Sequence, residues 1–176
     1  WPDYFNLAPN TRFYLNHGVS GIFQEGAYQS YGADMGTLKN YLMSKLLLDP
    51  KNANEAEIID EFLTLYYGPS AAVYFHKYMH LWADSVYDHS FYLSESAPVS
   101  SAYLTPELLL ESARLMEKAA ETNVRNDATL AKRIRLAKLP TLYVVLLRWQ
   151  EVQTYAAGKG IHWPYPGCST VKTCFV

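Results

Sequence analysis

The feature that most constrains this chain is a single strand-like run, Val19-Ser20-Gly21-Ile22-Phe23-Gln24-Glu25-Gly26, in an otherwise helical pattern. It is β-branched and aromatic, bounded by glycines, too short for a helix and suited to a buried strand. No second convincing strand accompanies it. A strand buried alone leaves its backbone donors and acceptors unpaired, at a cost in free energy. The run is therefore expected to pair with something this sequence lacks, and the chain to be part of a larger assembly. The opening Trp1-Pro2-Asp3-Tyr4 carries neither an initiator Met nor a basic, apolar leader, which adds the expectation of an upstream or processed N-terminus.

Around this run the spacing predicts helices. Residues 9–17 read as a short one, with Pro9 in its first turn and Gly18 at its stop. Residues 27–36 read as a loop. Leu38, Tyr41, Leu42, Leu46 and Leu48 then follow helical spacing until Asp49-Pro50, so strand 19–25 and helix 37–48 make a βα unit. Asn54 with Glu57 three residues later opens a helix carrying Ile58, Ile59, Phe62, Leu65 and Tyr66 on one face. After Gly68-Pro69, residues 70–87 carry a stripe of Val73, Tyr74, Lys77, Tyr78, Leu81 and Trp82 that demands a partner. An irregular connector, 89–103, leads to the cap-then-proline signal Thr105-Pro106 and the apolar run 108–120. Residues 127–155 read as one long helix that Pro140 should kink near Ala137, stopped by Gly158 and Gly160.

Composition narrows the function classes. Charged residues make up 18% of the chain and hydrophobic ones 49%, a surface short of charge. The formal net charge of −2 supplies no field to draw in nucleic acid. No apolar run reaches the roughly 18 residues of a membrane span; residues 139–147 are interrupted by Pro140, Thr141 and Tyr143. The 15 tyrosines, with 4 Trp and 7 Phe, are rings of the kind that stack on sugars or line interfaces, besides capping helical cores.

Within the strand, Phe23 and Glu25 fall on one face by the two-residue period, placing a ring beside a carboxylate at the strand's C-terminal end. In a (β/α) barrel that end builds the site, where Glu25 would accept hydrogen bonds from sugar hydroxyls and the following loop would add Tyr28, Gln29, Tyr31 and Asp34. The competing reading is a Glu paired with a neighbouring Arg. His76 and His80 stand i, i+4, yet Lys77 occupies the place of a zinc protease's Glu and disfavours a cation. Neither Ser30 nor Ser169 sits in a nucleophile elbow, Gly26 stands alone rather than in a phosphate loop, and no cofactor is implied. Cys168 and Cys174 are spaced to close a small disulfide loop in an oxidising compartment, whereas two thiols without an adjacent His supply only half a structural zinc site.

The stretches Asn10-Thr11-Arg12-Phe13-Tyr14, His17 through Gly26, Tyr41-Leu42-Met43-Ser44-Lys45-Leu46-Leu47-Leu48-Asp49-Pro50, and the continuation through Asp60-Glu61-Phe62-Leu63 to Tyr66-Tyr67-Gly68-Pro69 resemble the uncharacterised-domain family numbered 4838. The resemblance covers residues 10–82 well and the later helices loosely. Some members of that glycoside hydrolase-like family are endo-β-N-acetylglucosaminidases acting on N-glycans. A more distant similarity is to the β-hexosaminidases, whose last barrel strand ends Trp-Gly-Glu, where Phe23-Gln24-Glu25 stands here. The resemblance implies a mainly α chain: the last βα unit of a (β/α)8 glycosidase-type barrel (residues 1–50), a helical C-terminal subdomain (54–157) and an irregular tail (158–176). It implies no catalytic residue here, since the acid and its partner carboxylate lie on earlier strands. Phe23, Gln24, Glu25, Tyr28, Tyr31 and Asp34 would bind substrate, with either Gln24 or Glu25 facing the pocket. The expected protein is secreted, periplasmic or at the cell surface, with a Cys168–Cys174 disulfide, acting on or binding N-acetylhexosamine-containing glycans. Its partners would be the glycan and the rest of the barrel or another chain. The alternative is a non-catalytic carbohydrate-binding or interaction protein retaining only the end of the fold.

Overall fold

A computed structural model describes residues 2–26, 33–87, 91, 93, 97–123, 126–165 and 167. Among them run seven helices and no strand: α1 (Leu7–Asn16), α2 (Gly36–Leu48), α3 (Glu55–Tyr67), α4 (Pro69–Tyr87), α5 (Pro106–Glu121), α6 (Ala128–Leu147) and α7 (Trp149–Lys159). The chain is mainly α-helical, as the spacing predicted.

Local sequence sets the helix starts. Asn54, extended at φ −90°, accepts from Ala56 N; Thr105 accepts from Leu108 N ahead of Pro106; Asp127 accepts from Thr129 N and Leu130 N. Between α3 and α4 the backbone of Gly68 turns through φ +82°, which an L side chain would resist, and Pro69 then opens α4 with a preset φ. Packing runs α1 on α2, α2 on α3, α3 on α4 and α6, α4 on α5, and α5 on α6 and α7. Leu38, Leu42 and Leu46 of α2 join Ile59 and Leu63 of α3, Phe75 and Met79 of α4 and Leu109 and Met116 of α5 in one core.

Three expectations are corrected. Residues 19–26 form no strand: Val19 N donates back to Tyr14 O, and Phe23 is 89% exposed. β-propensity is realised only where a partner strand completes the ladder, and the described residues offer none. The α3 and α4 faces are also rotated from the expected stripes. Leu63 and Tyr67 are buried while Leu65 is 74% exposed, and α4 turns Ala71, Ala72, Phe75, Met79 and Ala83 inward with Tyr78 and Trp82, leaving Val73 exposed. The alanines let α4 approach helices on two sides, so its buried face is wider than a count of large side chains suggests.

The long helix expected over 127–155 is divided. Pro140 lies inside α6, and the break falls at Arg148, whose backbone leaves helical geometry at φ −110°, ψ 28°. Its guanidinium donates to Leu104 O and Val99 O in the connector before α5 and forks onto Glu151. Dividing the helix lets α6 reach α3 while α7 packs on α5. Arg133 of α6 meanwhile lies 4.1 Å over the Tyr66 ring and donates to Tyr66 O at 2.8 Å, satisfying a carbonyl in the last turn of α3.

Two substitutions check this register. We expect Leu63→Ala to cost about 2–5 kcal/mol in denaturant unfolding, as for other fully buried leucines, and Leu65→Ala to stay within about 0.5 kcal/mol of wild type. Equal costs would contradict the packing. Thr105→Ala, by losing the α5 cap, should cost about 1 kcal/mol in the same assay.

Candidate functional site

The site begins at Asp34, held between the N-terminal turn, α2 and α4. Met35, which follows it, is buried in the left-handed region at φ 49°, ψ 29°, a conformation that costs a non-glycine residue roughly 1 kcal/mol. The turn it makes points Asp34 toward two fully buried phenols. Tyr4 Oη donates to Asp34 Oδ2 and Tyr78 Oη to Asp34 Oδ1, the latter at 2.9 Å. Thr141 Oγ1 of α6 lies 3.4 Å from Tyr78 Oη. Burial pushes both phenols well above the ordinary tyrosine range, and the Asp34 charge raises them further. Tyr67 and Tyr103 are raised in the same way, by burial first and with a contribution from Asp34. The phenols therefore remain protonated donors.

Over Asp34 opens a cleft of about 560 Å³. One wall is the outer face of α2, with Lys39, Asn40, Met43, Ser44 and Leu47; the other is the irregular segment 24–26, and Asp3 and Leu7 close one end. Lys39 Nζ pairs with an oxygen of Asp3 at 2.8 Å and lies 5.1 Å from the centre of the Tyr4 ring. Gln24 and Glu25 both line the cleft, which a pleated strand with alternating side chains would not allow. Glu25 makes no hydrogen bond or ion pair among the described residues, so none of the described arginines neutralises it. Gly26 lies so close to α2 that a Cβ there would stand 2.7 Å from Asn40 Oδ1.

Of the six expected binding residues, the cleft brings Gln24, Glu25 and Asp34 together. Phe23 points elsewhere, because without the strand pleat it shares no face with Glu25. Tyr28 and Tyr31, like Cys168 and Cys174, lie outside the described residues. Asp34 has both oxygens engaged by tyrosines, so its first role is to fix the floor. His76 contacts Asp60 at 3.3 Å while His80 stacks on Phe5, and the two do different work. Reading the sequence for site residues missed Lys39, Asn40 and Ser44, although they form the polar stripe opposite Leu38, Leu42 and Leu46 and were legible as such. A second groove of about 1120 Å³ lies between α4, α5, α6 and residues 161–165; its rim charges are largely paired, Arg114 with Glu111 and Lys118 with Glu121.

The tyrosine centre has two measurable consequences. Asp34→Ala, by stranding two buried hydroxyls, should cost about 3 kcal/mol in denaturant unfolding. Because the folded Tyr4 and Tyr78 resist ionisation, their stabilisation is complete below the unfolded tyrosine pKa of 10.0 and is lost as pH rises above it. The melting temperature should fall steeply above that pH, with part of the phenolate absorbance appearing only on unfolding; full tyrosine ionisation in the folded protein would contradict this.

No curated protein and no solved structure matches this chain. Residues 1–80, spanning α1, α2, α3 and the first part of α4 with the whole Asp34 cleft wall, match the family model described as "Domain of unknown function (DUF4838)".

Proposed function

We propose that this chain is the C-terminal segment of a secreted, glycoside hydrolase-like protein, and that it contributes the binding wall of a cleft for N-acetylhexosamine-containing glycans. The observation that carries the reading is the placement of Glu25, a carboxylate without a partner among the described residues, in an open cleft beside Gln24, Lys39, Asn40 and Ser44. Such a set of acceptors and donors around a cavity suits a polyhydroxylated ligand, whose hydroxyls both donate and accept. Glu25 would accept from a sugar hydroxyl, while the Asp34 centre keeps the floor rigid so that little ordering is needed on binding. The resemblance of residues 10–82 to family 4838 supports the sugar class, and the exposed, non-helical run 19–26, which forms no strand among the described residues, offers a surface for the rest of a (β/α)8 barrel to lie against. In that arrangement this segment binds and stabilises, and the catalytic carboxylates come from elsewhere in the complete protein.

The test is glycan binding and turnover by the complete protein, with melting temperature followed in parallel. Glu25→Gln should weaken binding of an N-acetylglucosamine oligosaccharide by about 1.5–3 kcal/mol, the range for a hydrogen bond to a charged group, with folding little affected because Glu25 bonds to nothing among the described residues. Unchanged affinity, or a large loss of stability, would overturn the reading.

A further inference from the structure

The contact between Gly26 and Asn40 carries an inference that rests on the cleft being the sugar site. Asn40 sits on the exposed face of α2, and its carboxamide makes no hydrogen bond among the described residues. It nevertheless lies against the Cα of Gly26, the residue after Glu25, at a distance that leaves no room for a Cβ. Its main-chain oxygen accepts from Ser44 Oγ at 2.8 Å, one turn further along the same wall. A carboxamide with one acceptor and two donor hydrogens, uncommitted among the described residues, thus lines the same cavity as the Glu25 carboxylate.

We infer that Asn40 is a second ligand-binding residue of this cleft, acting beside Glu25 on the same sugar unit, and that Gly26 is the residue that lets its carboxamide occupy that position. A methyl group at position 26 would meet the far end of a flexible, exposed side chain. The easy response is rotation of Asn40 out of the cleft, not unfolding of the segment. Gly26→Ala should therefore act on binding through Asn40.

That dependence gives a double-mutant cycle as the test, measured by calorimetric titration of an N-acetylglucosamine oligosaccharide into the complete protein, with melting temperatures as a check on folding. Gly26→Ala and Asn40→Ala should each weaken binding about fivefold, the effect of losing one hydrogen bond between uncharged groups. The double variant should be no weaker than either alone, because both remove the same contact. Asn40→Gln, which keeps the amide but moves it by one methylene, should also bind weakly. If Asn40→Ala binds as wild type while Glu25→Gln is impaired, the role of Asn40 is overturned and the cleft stands. Losses that multiply in the double variant would show that Gly26 acts independently, and would overturn the coupling. No binding by the wild-type protein would overturn the sugar site itself, and this inference with it.

Discussion

The Asp34 carboxylate, shared between the buried hydroxyls of Tyr4 and Tyr78, is the interaction on which the remaining structure depends. Tyr4 precedes α1, Asp34 precedes α2, and Tyr78 lies in the middle of α4, so one side chain joins three parts of the chain that are distant in sequence. Thr141 brings α6 to the same point. Asp34 is half-buried, and two phenols that burial keeps protonated meet the hydrogen-bonding needs of its carboxylate. The left-handed Met35 is the local conformational cost of aiming the carboxylate inward.

The same arrangement fixes the cleft. With Asp34 committed to the tyrosines and Lys39 held by Asp3, the two walls are defined by the outer stripe of α2 and by segment 24–26. Glu25, which makes no hydrogen bond or ion pair among the described residues, lines this cavity. A second tie reinforces this end of the molecule: Ala8 N donates to Glu55 at 3.3 Å and Arg12 donates to Ala53 O at 2.6 Å, pinning α1 to the start of α3. Burial raises the Glu55 carboxyl, while the Ala8 hydrogen bond and Arg12 oppose that rise.

Much of the helical framework was legible in the sequence, because capping is local. Asn54, Thr105-Pro106, Asp127 and Gly68-Pro69 mark boundaries that depend on residues within a turn of each other. Helix faces were read less well. Counting large apolar residues put Leu65 and Val73 inward, whereas the core chose the faces on which Ala71, Ala72 and Ala83 allow close approach. The break at Arg148 was not legible either, since it depends on carbonyls of residues 99 and 104, far away in sequence. The strand over 19–25 followed from composition, but a strand exists only through its partners, and the described residues hold none. Gln24 and Glu25 were expected from their place at the end of that run, and Asp34 from its loop, and all three line the cleft. The tyrosine contacts that turn Asp34 away from a purely ligand-facing role span 30 and 44 positions, beyond any motif.

The central claim is that the cleft between residues 24–26 and α2 receives the ligand. The most direct measurement is a crystal structure of the complete protein with a bound N-acetylglucosamine oligosaccharide. A sugar hydroxyl is expected within hydrogen-bonding distance of Glu25, with the ring against Lys39 and Asn40 and the Asp34–tyrosine bonds unchanged. A sugar seated instead in the groove floored by Leu81, Leu142 and Tyr165, with the Glu25 cleft empty, would contradict it.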